Sequence, residues 1–219
     1  MLFGALFEFE ALRIGKISVV EPIFALEVPV TAILALIVIG ERLTFLQTFL
    51  IATLVCGIIL LSIQSLKDLR RMDAKQFEQG VLYAICATLA MGGANFMFGF
   101  GSRITNPLLV NWFTNTFIAL VMTGYLTARG QFGKIVEGWR HNKRLILTVG
   151  IIDNAAWVAF AYSMVHIPIA VATGISESYI AFAAGLGLLL NKEKLAKHQF
   201  FGLAVAIVSV ILLAAITAS

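Results

Sequence analysis

The sequence predicts an all-α polytopic membrane protein made of two inverted five-helix repeats, the first of them incomplete. Three observations carry that reading. Of 219 residues, 60% are hydrophobic and only 13% charged. The mean hydropathy is +0.94. A charged corner occurs twice between long apolar runs, as IGERLTFLQ at 39–47 and NKEKLAKHQ at 191–199. Such a composition lies far from that of a soluble domain. Runs of roughly 20 apolar residues suffice to cross a bilayer at the helical rise of about 1.5 Å per residue, and they fit helices rather than barrel strands.

Seven full spans are expected, at 18–40, 44–63, 80–101, 107–128, 145–165, 168–190 and 200–218. Ahead of them, MLFGALFEFEALRIG has too short an apolar run before Glu8, and too little positive charge at its start, to be a signal peptide. It reads as the end of a helix, which makes about eight helices, the first only a stub.

The basic residues sort the loops. Arg13 and Lys16, then Lys67, Arg70, Arg71 and Lys75, then Arg129, Lys134, Arg140, Lys143 and Arg144, then Lys192, Lys194 and Lys197 all fall on alternate connections, whereas the other face holds Arg42 and Arg103. Fourteen against two places the basic loops in the cytoplasm by the positive-inside rule, with the C-terminus outside. The net charge of +4 is therefore loop charge, and no basic stripe interleaved with aromatics points to nucleic acid.

The two corners supply a register. A shift of 152 pairs Glu41 with Glu193, Leu43 with Leu195, Gln47 with Gln199 and Phe49 with Phe201, and it continues from Ile17 and Ile169 to Leu61 and Leu213. Matches of Leu or Ile between apolar helices are weak, but charged and amide positions kept in one interhelical corner carry information. Copies with an odd number of helices place equivalent corners on opposite faces, so the repeats are inverted. On this reading 1–65 is the C-terminal part of the first repeat, 66–79 a cytoplasmic linker, and 80–219 a complete second repeat. The first copy then lacks two helices and part of a third, a gap that a homodimer would repair.

PVTAILALIVIGERL and YIAFAAGLGLLLNKEKL, each an apolar helix ending in a glutamate beside a basic residue, resemble the EamA-type members of the drug/metabolite transporter superfamily, as do AMGGANFMFGFGS and GIIDNAAWVAFAYSMVHIPIAVATG. Met91 stands where that family has a tryptophan, and NWFTN at 111–115 lacks its usual arginine. The resemblance implies ten helices in two inverted repeats. It also implies alternating-access secondary transport in the cell (plasma or inner) membrane, with export of a small metabolite or drug-like solute, coupled to protons. A non-transporting membrane scaffold, or a truncated and degenerate transporter fragment, stands as the alternative.

Ionisable groups inside spans cost roughly 2.5–3.5 kcal/mol on insertion scales and usually face a bundle interior or cavity. Glu27 lies about 13 Å along its helix by the helical rise, shares a face with Thr31 and is followed by Pro29, which removes a backbone donor. Glu177 is similarly deep, in the company of Ser176, Ser178 and Tyr179. Either can bind solute or carry a proton, or be a neutral acid that ties helices together. Glu21, close to its helix start, is accounted for by interfacial solvation. Asp153, Asn154 and Trp157 share one broad helix face, Asn111 and Asn115 share a face beside Trp112, and Asn95 sits among Gly92, Gly93 and Gly99. These polar and aromatic groups suit a cavity wall, and equally suit interhelical hydrogen bonds and packing.

His141, His166 and His198 lie at span ends, and Cys56 and Cys86 lie within spans without CxxC spacing, so neither metal nor cofactor is expected. Phosphate-loop, GxSxG and HExxH signatures are missing, which argues against an enzyme or an ATP-driven module.

Overall fold

The computed structural model describes residues 1–15, 17–63, 74–190 and 195–218. Lys16, Lys67, Arg70, Arg71 and the corner at 191–194, Glu193 included, lie outside the described residues. Ten helices follow one another among the rest: α1 Leu2–Ile14, α2 Ile17–Phe24, α3 Glu27–Ile39, α4 Phe45–Ser62, α5 Ala74–Ile104, α6 Pro107–Ala128, α7 Phe132–His166, α8 Ile169–Glu177, α9 Tyr179–Leu190 and α10 Lys197–Ala218. Among the described residues there is no strand. Seven segments are long and apolar enough to cross a membrane, in the order the apolar runs predict.

The difference from expectation lies in two of those spans. The single helices expected over 18–40 and 168–190 are each broken, into α2 and α3 and into α8 and α9. Pro29 accounts for the first break: it sits in the opening turn of α3, where no amide donor is lost, and its ring disfavours the carbonyl of Ala25 four residues back. Leu26 N instead reaches Ile23 O at 3.0 Å. At the second break Ser178 does the same with Ile175 O, through its backbone N at 3.2 Å and its hydroxyl at 2.6 Å. The helix at the fifth span is also longer than expected, beginning at Phe132 and kinking at Asn142 (φ −123°, ψ 25°).

Helix ends are set by local chemistry. Gly40 ends α3 in the left-handed region (φ 66°), so that Glu41 N can turn back to Ala35 O. Thr44 opens α4 with a capping box: its hydroxyl accepts from Gln47 N, and Gln47 Oε1 accepts from Thr44 N. At the matching place before α10, Ala196 N donates to Gln199 Oε1 at 3.0 Å. The glutamines paired by the 152 shift therefore do the same work. Asn106 caps α6, with Pro107 at the first helical position.

Two compact units result, one of Met1–Met97 with Ile167–Ser219 and the other of Phe98–His166. The first is organised around α4 and α10, which run antiparallel. A Cβ on Gly57 would lie 2.9 Å from Gly202 O, and one on Gly202 would lie 2.7 Å from Gly57 O, so the backbones meet there and only glycine fits. Thr53 and Ser209 share a hydroxyl hydrogen bond of 2.9 Å beside the crossing. Leu54, Ile58, Val171 and Leu213 pack fully buried around it. Without a hydrophobic force between helices in lipid, such close packing and hydroxyl bonding hold the pair. In the same unit α3 packs on α8, and Ala11, Val20 and Ala84 join α1, α2 and α5.

Contacts between helix ends sort the connections by face. Glu41 Oε1 accepts from Ile169 N at 2.8 Å, which puts the 40–44 corner and the 167–168 turn on one face, called here the corner face. Gln199 Nε2 donates to Leu61 O at 3.1 Å, and His198 Nε2 lies 2.8 Å from Ile63 O, at the other end of α4, the linker face. In the second unit α6 packs on α7, and Arg103 Nε donates to Met164 O at 2.7 Å. Side chains such as Phe113, Leu120 and Ile151 stand exposed on these helices, as lipid-facing groups do.

Candidate functional site

The two helix breaks fall at equivalent positions. Adding 152 to Ile23 and Leu26 gives Ile175 and Ser178, the pairs that make the two tight turns. Opposite ends of helices meet there: Glu27 is the first residue of α3, and Glu177 the last of α8. Their carboxyls are close enough to interact. Glu27 is buried and Glu177 partly so. Carboxylates only accept, so a hydrogen bond between the two requires one member of the pair to be protonated.

α5 supports the first break. Thr88 Oγ1 donates to Ile23 O at 3.0 Å, and Thr31 Oγ1 lies 2.9 Å from Glu27 O and 3.0 Å from Gly92 O. Thr88, Gly92 and Asn95 follow at helical spacing on one face of α5, and Asn95 is buried. Glu8 from α1, Glu21 from α2 and Tyr179 at the start of α9 lie close enough to interact electrostatically with Glu177.

A second polar group forms in the unit Phe98–His166. Asn115 Nδ2 reaches Asn111 Oδ1 and Asn154 Oδ1, both at 3.1 Å, Asn111 Nδ2 lies 3.4 Å from Asn154 Oδ1, and Asn154 Nδ2 donates to Gly150 O at 3.0 Å. Trp157 meets Phe98 edge-on at 5.4 Å between ring centroids and Phe160 at 5.7 Å. Asp153 and Trp112, which sequence reasoning grouped with these residues, are exposed and join neither the amides nor the ring cluster. Glu27 with Glu177, and Asn111 with Asn115 and Asn154, are thus the groupings that the fold makes.

Three participants escaped sequence reasoning. Glu8 interrupts an apolar run, a signal legible in the sequence, although that run reads only as a helix end. Thr88 and Glu41 act on backbone atoms 65 and 128 residues away and leave no local pattern. Among the described residues no group of three or more His, Cys, Asp or Glu is placed to hold a metal ion. Residues 78–215 match the EamA-like transporter family. A search of curated proteins finds no match.

Proposed function

The chain belongs to the EamA-like transporter family, and on that premise we propose that this multi-pass membrane transporter of small solutes is a secondary exporter working by alternating access and coupled to protons through Glu27 and Glu177. The observation that carries the coupling is the placement of two interacting acids at the paired helix breaks. Broken helices at corresponding positions of inverted halves are where such transporters bind solute and coupling ion.

In this reading 1–65 and 80–219 are the two halves, with the basic loops cytoplasmic in the cell membrane. The proton on the pair lowers the cost of closing apolar helices over it, and its release restores a negative site. Asn111, Asn115, Asn154 and Trp157 supply donors, acceptors and an aromatic face to a polar solute, and Asn95 supports the α5 side of the break.

The test is a proton-flux screen in proteoliposomes loaded with a pH-sensitive dye. Solutes that trigger proton movement through the wild type are expected to trigger none through Glu27→Gln or Glu177→Gln. Normal solute-driven proton movement through both variants overturns the assignment.

A further inference from the structure

We propose that Glu41 is the latch of a gate made by the half-helices α3 and α8 of the first unit, and that this pair is closed at the corner face. The inference rests on the alternating-access reading above and adds to it a positioning residue and an access state.

The half-helices divide by face. α3 runs from the break to the corner face, and α8 runs from that face back to its own break. They are joined twice, at the breaks by Glu27 and Glu177, and at the membrane face by Glu41 Oε1 and Ile169 N. Between those points Val28 and Thr31 of α3, and Ala170 to Thr173 of α8, are buried. This is a closed pair of helices, fastened at both ends.

The 152 shift maps α8 onto α2 and α3 onto α9, so the counterpart of this pair is α2 with α9 on the linker face. Those two do not pack to any comparable extent among the described residues. Tyr179 is 62% exposed, and Phe182 60%. The corner that would fasten the second pair, 191–194, lies outside the described residues, and closing one such pair while opening the other is what moves a site from one face to the other. Ser178 is the hinge end of α8, and Glu41 holds the opposite end. Releasing the first amide of the nine-residue α8 undoes its fastening at the corner face and leaves its packing to hold it.

The experiment needs no solute and no proton gradient, so it fails independently of the coupling reading. Ser176, exposed on α8, is replaced by cysteine in a background with Cys56 and Cys86 changed to alanine. An impermeant maleimide is then applied from each face of oriented proteoliposomes. With Glu41 intact, labelling is expected to be faster from the linker face. Loss of a charge-assisted hydrogen bond in Glu41→Ala should raise the corner-face rate about tenfold and leave the linker-face rate unchanged. Glu41→Gln keeps an acceptor oxygen and should stay near the parent rate.

Ile169→Pro removes the donor instead. Proline is tolerated at a first helical position, and Pro168 already has the extended backbone that a following proline requires (φ −53°, ψ 136°). It should raise the corner-face rate in the same direction as Glu41→Ala. Rates that rise equally from both faces in the two variants would mean a loosened helix rather than a gate, and unchanged rates in both would mean no latch. Either result overturns the proposal.

Discussion

Glu27 opens one half-helix, Glu177 closes another, and the two carboxyls interact inside the span. If one acid is protonated and donates to the other, an amide can replace it as donor, but a methyl group cannot. Glu177→Gln is therefore expected to fold as the parent does. Glu177→Ala leaves a buried Glu27 without its partner and should lower stability by about 1–3 kcal/mol. Thermal unfolding in detergent, followed by tryptophan fluorescence, checks the order of the three proteins.

The α4–α10 crossing should tolerate nothing larger than glycine. A Cβ at Gly202 would sit 2.7 Å from Gly57 O and 2.8 Å from Leu61 N, both backbone atoms that no side-chain rotation can move aside. Gly202→Ala is expected to cost about 1–3 kcal/mol by overpacking, whereas Gly185→Ala, with open space around it, should leave the unfolding midpoint unchanged.

Thr44 is a cap with two partners in Gln47. Thr44→Ala should destabilise by about 1 kcal/mol and Thr44→Ser should recover most of the loss. Equal unfolding midpoints for the alanine and serine variants would contradict the capping role.

How much of this was legible can be judged residue by residue. The spans were legible because lipid demands long apolar runs, and the corners because a glutamate beside a basic residue interrupts those runs twice. The break after Phe24 was signposted by Pro29. The break at Ser178 was not, since no proline marks it and only the polar cluster Ser176, Glu177, Ser178 interrupts the apolar helix. Asn111 and Asn115 were legible as a pair four residues apart, but their third member, Asn154, bonds across helices. The contact between Glu41 and Ile169 joins residues 128 apart, and no periodicity in one sequence reports such a pairing.

The amide group makes a kinetic prediction. Asn154 Oδ1 accepts from both Asn111 and Asn115, so Asn154→Ala releases two donors at once. If these amides hold solute in ground state and transition state alike, KM should rise several-fold with the maximal rate little changed. Initial-rate flux measurements at varied solute concentration read the two separately, and a fall in maximal rate alone would remove the amides from solute binding.

The sharing of a proton between Glu27 and Glu177 is tested most directly by infrared spectroscopy of the reconstituted protein at neutral pH. The account predicts a carboxylic-acid C=O band in the wild type that is lost or shifted in Glu27→Gln and in Glu177→Gln. The same band unchanged in both variants, or no such band in the wild type, would contradict it.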